Sequence, residues 1–331
     1  MLRDMRIRVE RFPLAAPFRI SRGIRTVAEI VEVELQVDGV TGRGESVPYT
    51  RYGETLDSVV DQIEEIRSSV QTGLDRAGLQ ALLPPGAARN AVDCALWDLN
   101  VKQGLDVDLL SAPQPVATAL TIGVDTPAAM EREAAKLANV PVIKVKVAAQ
   151  QVEESLCAVR RAAPLPRMIV DPNESWDIGM LQDLQPLLED LEVAFVEQPL
   201  PSTEDGALAG LVRRVPVCAD ESCHTADDLD RLEGLYDIVN IKLDKTGGLT
   251  EAFRLLEAAR NTGFGVMVGC MISSSLSIAP ALHIAAQADF VDLDGPAWLK
   301  HDRRGGISIR NGQLIPPRAG FWGSGAIVQP V

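Results

Sequence analysis

The fold class that the sequence predicts is α/β: a (β/α)7β barrel with an α+β capping unit on its N-terminal side. Three observations predict it. From about residue 115, short β-branched runs alternate with longer amphipathic stretches, the rhythm of βαβ units around a parallel sheet. Residues 1–114 lack that rhythm, and the Gly- and Pro-rich tail from Gly305 cannot continue it. Finally, 331 residues with 46% apolar and 24% charged content suffice for one large barrel or two medium domains. The expected division is a cap over 1–114 and a barrel over 115–304, with 305–331 returning across the cap.

In the cap, "IVEVELQV" (Ile30–Val37) reads as an alternating strand, followed by helices over Leu56–Val70 and Gly86–Gln103. Barrel strands are expected over Ala117–Val124, Pro141–Val147, Arg167–Val170, Val193–Val196, Pro216–Ala219, Asp237–Ile241, Gly265–Val268 and Asp289–Val291. Seven helical patterns separate them, among them "PAAMEREAAKLA" from Pro127 and "GLTEAFRLLEAARNTG" from Gly248, which closes on a glycine. The serine run Ser273–Ser277 reads as the start of the seventh helix, with the alternative that its loop lines the site.

Composition also excludes partners. A formal net charge of -14 offers no basic footprint for nucleic acid or an anionic membrane surface. No apolar run has transmembrane length, and "MLRDMRIRVERFPLAAPF" lacks the apolar core of a secretory leader. Five scattered cysteines without a C-x-x-C pair fit reduced thiols, so the expected location is cytoplasmic. The oligomeric state stays open. There is no G-x-S-x-G elbow, P-loop, H-E-x-x-H or G-x-G-x-x-G after a strand, and His224, His283 and His301 read as structural.

In barrels of this kind the chemistry sits at the C-terminal ends of the strands. In "VIKVKVA" (Val142–Ala148), Lys144 and Lys146 share one face, because side chains alternate along a strand. The following strands end in Asp171 ("VDPNESW"), Glu197 ("VEQPLP") and Asp220 ("ADES"); Lys242 follows the sixth, and the last runs into Asp292 and Asp294 ("DLDGP"). Singly, each has a bland reading as a helix cap or a solvated loop charge. Together, three carboxylates at consecutive strand ends resist ionisation unless a cation intervenes. Hard oxygen donors without histidine or thiolate suit Mg²⁺. Asn240 and Lys242 have inward parity; Lys245, in the turn "DKTGG", has the opposite parity and is the alternative if the strand ends earlier.

These residues resemble the enolase superfamily, in its muconate-lactonizing subgroup, and most closely dipeptide epimerases of the L-Ala-D/L-Glu type. The likeness rests on K-x-K, the Asp171, Glu197 and Asp220 series, "NIKLDKTGG" and "DLDGP", with "PFRISRG" and "GAARNAVDCALWDL" in the cap. The resemblance implies a TIM-like barrel with one Mg²⁺ per subunit on Asp171, Glu197 and Asp220, and acid/base roles for Lys146 and Lys242. It implies that Lys144 tunes Lys146 by like-charge repulsion, that Asp292 and Asp294 hold a substrate ammonium, and that Asn173 and Glu221 orient the metal ligands. Loops Ser21–Thr26 and Val47–Glu54 would close over the substrate, with Arg25 meeting an acidic side chain.

The implied activity is that of an isomerase of murein peptide metabolism. It would invert the α-carbon of the C-terminal residue of L-Ala-L-Glu or L-Ala-D-Glu by two-lysine proton transfer through an enediolate. Cycloisomerisation and o-succinylbenzoate synthesis would use the same metal and lysines. A Schiff-base aldolase has no use for the carboxylate triad, and a barrel that only binds a metal or ligand is the non-catalytic alternative.

Overall fold

The computed structural model describes residues 2–106 and 113–323, so part of the expected boundary near 114 and the end of the 305–331 tail lie outside the described residues. The cap begins with an antiparallel sheet of β1 (Asp4–Ile20), β2 (Gly23–Val37) and β3 (Val40–Ser46) in that spatial order. Alternation decides the sheet's faces: Val31, Val33 and Leu35 of β2 are buried with Met5 of β1. β1 contains Pro13 and Pro17, which interrupt its alternating pattern. At a sheet edge a missing N–H is tolerated, and the register shifts between Pro13 and Phe18. The expected loop Ser21–Thr26 is a tight turn instead, with Ile20 paired to Gly23 and Phe18 to Arg25.

The cap's helices are α1 (Leu56–Glu65), α2 (Arg67–Gln71), α3 (Arg76–Leu82) and α4 (Ala87–Lys102). The single helix expected over Leu56–Val70 breaks at Ile66, whose ψ is 0°. α4 is buried on almost every side, between the cap sheet and the barrel. Glycine makes that approach possible: a Cβ on Gly44 would lie 2.1 Å from the Ala91 carbonyl oxygen, and one on Gly42 2.4 Å from that of Ala95.

A short β4 (Val116–Ala117) precedes the barrel strands β5 (Ala119–Ile122), β6 (Val142–Lys146), β7 (Arg167–Asp171), β8 (Val193–Glu197), β9 (Val217–Ala219), β10 (Ile238–Ile241), β11 (Gly265–Gly269) and β12 (Phe290–Asp292). They form one parallel sheet in sequence order, and β12 closes against β5. The intervening helices are α5 (Pro127–Lys136), α6 (Val152–Ala162), α7 (Ile178–Asp190), α8 (Leu229–Leu232), α9 (Leu243–Thr246), α10 (Leu249–Asn261) and α11 (Ser275–Ala285). The helix expected between β8 and β9 is a run of 3-10 turns, Ser202–Gly210, whose Gly206 and Gly210 disfavour an α-helix. No helix of the described residues is long and apolar enough to cross a membrane.

The tail makes β13 (Ser308–Arg310) and β14 (Gln313–Ile315), which pair with β4 at the N-terminal end of the barrel. It then reaches the cap, where Arg43 donates to the Phe321 carbonyl at 3.0 Å and Gly323 N–H donates to Asp98 at 2.7 Å. Inside the barrel lies an apolar layer of Ala119, Val142, Ile169, Phe195, Cys218, Ile238 and Met267, with Phe290 packed against it. The opposite parity, Ile143, Val145, Val170, Val196, Val239 and Val268, packs under the helices.

Cap and barrel meet through buried polar groups. Asp244 accepts from Val47 N–H at 2.9 Å and from Asn90 Nδ2 at 2.8 Å, and burial pushes its carboxyl up to about 7. Because the folded state holds this proton more tightly than an unfolded Asp does, the stability it contributes is lost as pH rises from about 4 towards 7. Asp244→Asn keeps the accepting oxygen without the charge. Thermal unfolding followed by circular dichroism should find D244N more stable than the parent at pH 8, with the gap closing towards pH 4; a gap of equal size at both pH values would refute a neutral Asp244.

Candidate active site

Two residues beyond the apolar layer, the same inward parity presents Thr121, Lys144, Asp171, Glu197, Asp220, Asn240, Gly269 and Asp292. A polar layer therefore caps an apolar one, and Lys146, Lys242 and Asp294 stand one step further out. The charged groups of both levels are buried. Gly269 is the gap in the layer: a Cβ there would lie 3.0 Å from Lys242 Cε and 2.7 Å from Asn240 Oδ1.

Lys144 bridges the strands. Its Nζ lies 2.8 Å from Asp292 Oδ2, 2.7 Å from Glu197 Oε2 and 3.0 Å from Asp171 Oδ2. Lys146 donates to the same Asp171 oxygen, Lys242 donates to Asp220 Oδ2 at 2.6 Å, and Asn240 Nδ2 donates to Glu197 Oε1 at 2.9 Å. Burial opposes every charge here, and the ion pairs decide which survive. Asp171 is held at about 2 by Lys146 and Lys144 against its burial, whereas burial and the neighbouring Asp171 push Glu197 up to about 7. Lys144 and Lys242 are both held above the ordinary lysine range, because their carboxylate partners outweigh the burial that opposes the charge.

The donor set fits a hard cation. Asp171, Glu197 and Asp220 offer only oxygens, and Glu197 Oε2, although buried and close to Lys144, lacks a hydrogen bond. Among the described residues, no three acidic, histidine or cysteine side chains stand ready as a coordination shell, because ammonium groups lie between these carboxylates. Asn173 steadies Asp171 through its backbone, whereas Glu221 is taken up by Arg22. Asp171 Oδ1 receives the backbone N–H of Asn173 at 2.9 Å, and Glu221 is engaged by Arg22 at 2.7 Å.

That Arg22 contact pins the β1–β2 tip over the barrel mouth. Arg22 also meets Glu174 at 3.0 Å and donates to the Asn173 carbonyl at 3.1 Å, while Arg51 from the Val47–Glu54 loop grips Glu174 at 2.7 Å. Arg25 has no ion pair among the described residues; it lies over the Tyr49 ring, 4.7 Å from the centroid, and lines a cavity of about 70 Å³. Lys144, Lys146, Lys242, Asp220, Asp292 and Asp294 line the same cavity. Tyr52, Cys270 and Trp298 line it too and escaped the sequence reading; only their places next to motifs, in "RYGE", "GCM" and "GPAW", could have flagged them.

Known proteins carry the same architecture. The family "Mandelate racemase / muconate lactonizing enzyme, N-terminal domain" matches residues 2–109, and "Enolase C-terminal domain-like" matches 129–322. The L-Ala-D/L-Glu epimerase of Escherichia coli (strain K12) is 46% identical over 319 residues, covering 95% of this chain and 99% of that protein. The chain belongs to the enolase superfamily. A crystal structure from Agrobacterium tumefaciens, described as an enolase family member with homology to dipeptide epimerases and holding sodium and L-Ala-L-Glu, is 43% identical. It superposes with a TM-score of 0.94 over 97% of this chain and 99% of that one. The dipeptide epimerase of Enterococcus faecalis V583, complexed with Mg and L-Leu-L-Tyr, is 27% identical with a TM-score of 0.89, over 98% and 99% of the two chains.

On this enolase-superfamily barrel the two candidate lysines after β10 part company. Lys242 lines the cavity; Lys245, from α9, is fully buried behind Asp220, donating to its carbonyl at 2.5 Å, its Oδ1 at 2.7 Å and the Asn240 carbonyl at 2.9 Å. Parity alone makes Lys245 look dispensable, but these contacts make it a strut under Asp220. Replacing it removes a buried donor from Asp220 Oδ1 and the Asn240 carbonyl, although the Asp220 carbonyl keeps the Cys223 N–H at 3.1 Å, and should cost about 3–5 kcal/mol. Urea denaturation should therefore show Lys245→Met losing more stability than Lys242→Met, whose change leaves Asp220 still paired; equal losses would remove the strut.

Proposed function

We propose that this protein is a dipeptide epimerase that inverts the α-carbon of the C-terminal residue of L-Ala-L-Glu and its L,D epimer. The observation that carries this reading is that Lys146 ends the second strand and Lys242 follows the sixth strand of a closed eight-strand barrel, on opposite walls of one cavity. A carbon held between them can lose a proton to one amine and gain one from the other on its far side. The L-Ala-D/L-Glu epimerase from E. coli and the L-Ala-L-Glu complex from A. tumefaciens support the substrate class.

Asp292 Oδ1 is buried in this cavity without a hydrogen-bond partner, and Asp294 stands beside it, which suits a primary ammonium. Arg25, which lines the same cavity and has no carboxylate partner among the described residues, suits an acidic side chain. Asp171, Glu197 and Asp220 would hold Mg²⁺, the ion in the E. faecalis complex. When bound, Mg²⁺ neutralises these carboxylates and withdraws electrons from a substrate carboxylate, acidifying the adjacent C–H. Lys146 and Lys242 do the proton transfers. One takes the α-proton as a neutral amine, and the other, as an ammonium, protonates the opposite face. Lys144 keeps positive charge next to the carboxylate group that gains electron density.

Cycloisomerisation remains the second reading on the same scaffold, but it gives no role to the unpaired Asp292 oxygen. Five free cysteines fit a reducing compartment, and we place the protein in the cytoplasm. The cap over 1–114, the barrel over 115–304 and the returning tail are likewise proposed as its working units.

In D₂O, proton NMR should show both Lys146→Ala and Lys242→Ala failing to interconvert L-Ala-L-Glu and L-Ala-D-Glu. Each variant should still exchange the α-proton of one epimer, because the surviving lysine can remove and return it on its own side. Retention of epimerisation in either variant would end the two-base reading. Treatment with EDTA should abolish turnover and Mg²⁺ restore it; full activity in metal-free protein would contradict the carboxylate assignment. Arg25→Met should lower kcat/KM for L-Ala-L-Glu about 10- to 100-fold relative to L-Ala-L-Leu, the worth of one charge-assisted pair. If both dipeptides fall equally, another group reads the side chain.

A further inference from the structure

Next to the Asp294 end of the site lies a second, larger cavity of about 680 Å³, between β5, α5 and the Ala15–Arg19 stretch of β1. The two cavities share only Thr121, Asp294 and Trp298. Trp298 is the bulk of that partition. Its Nε1–H donates to Asp294 Oδ2 at 3.4 Å, the oxygen that also accepts from Thr121 N–H at 2.8 Å. On its other side the ring meets Phe18 edge-on, with centroids 4.5 Å apart and planes at 72°. The indole is held from two directions and stands as a fixed wall.

We propose that Trp298 sets the size limit on the first residue of the dipeptide, by closing the catalytic cavity off from the larger one behind it. This rests on the reading above, in which Asp292 and Asp294 take the α-ammonium. The carbon that carries this ammonium also carries the first residue's side chain, so the side chain starts within one bond of the group that Asp294 holds. A methyl group fits on the near side of the indole. A leucine or phenylalanine side chain would have to reach beyond it, where Ala15, Ala16, Ala129, Met130 and Leu137 supply apolar walls beside the charged Arg19, Asp125, Arg132, Glu133 and Lys136. Pockets of this kind discriminate by about 1–3 kcal/mol per misfit methylene, or roughly 10- to 200-fold.

The test uses the full chain with Mg²⁺ and compares kcat/KM for L-Ala-L-Glu and L-Leu-L-Glu in the parent, Trp298→Ala and Trp298→Leu. The parent should favour L-Ala-L-Glu, and both variants should raise the L-Leu-L-Glu to L-Ala-L-Glu ratio at least about 10-fold, mainly through KM, because the wall acts on ground state and transition state alike. Trp298→Phe, which keeps an aromatic wall, should retain most of the parent's preference. Trp298→Leu preserves apolar packing against Phe18 and carries the same expectation should Trp298→Ala not fold. An unchanged ratio in a folded variant, with the parent active on L-Ala-L-Glu, overturns this inference alone. A parent inactive on every dipeptide overturns the epimerase reading and this inference with it.

Discussion

The contacts of Lys144 with Asp171, Glu197 and Asp292 tie four barrel strands together where almost no water reaches. Removing charges from water is costly, and only close pairing offsets it. This interior therefore tolerates its carboxylates only as long as cations share the same few ångströms, and that condition shapes the neighbourhood. Lys245 supports Asp220 from behind, Asn240 holds Glu197, and Gly269 leaves room for Lys242. Beneath lies the apolar layer from Ala119 to Met267, which keeps water out and fixes the strands that aim the charges.

The cap extends that exclusion over the top. Its helix α4 approaches β3 closely because Gly42 and Gly44 have no side chains, and Arg89 of α4 donates to the carbonyl of Thr246 at 2.6 Å, just after the strand that brings Lys242. A second tie joins Glu45 of β3 to Ser274 N–H at 2.8 Å and to Arg303 at 3.0 Å. With the cap so placed, the β1–β2 tip falls on Asn173, Glu174 and Glu221, and Arg22 fastens it there. The Arg22 and Arg51 contacts hold this tip and loop over the cavity and limit the water that reaches it.

Most of the barrel was legible because its strands announce themselves as β-branched runs, and several of them, β6 to β9 among them, also end in or run directly into a charged residue. Asp171, Glu197, Asp220 and Lys242 could be read from strand parity with no distance in hand, since period-2 alternation fixes which side chains face inward. Connections were harder. The Ser202–Gly210 turns stand where a helix was expected, and one long helix proved to be two. Each of these depends on neighbours distant in sequence, which local pattern does not report.

By itself, then, the sequence determined the layering: on β6 to β9 and β12, an apolar residue stands two positions before a charged one, so apolar and charged levels stack along the strands. Tertiary structure alone decided the partnerships. Lys144 and Asp292 are 148 residues apart, Arg22 and Glu221 meet across the cap–barrel seam, and Trp298 becomes a wall only because Phe18 and Asp294 hold it. Parity says that Lys245 faces away from the cavity, yet only the folded chain puts the Asp220 carboxylate within its reach. Alternation is a property of the backbone and can be counted along the chain, whereas the distance between two charges exists only once the barrel has closed.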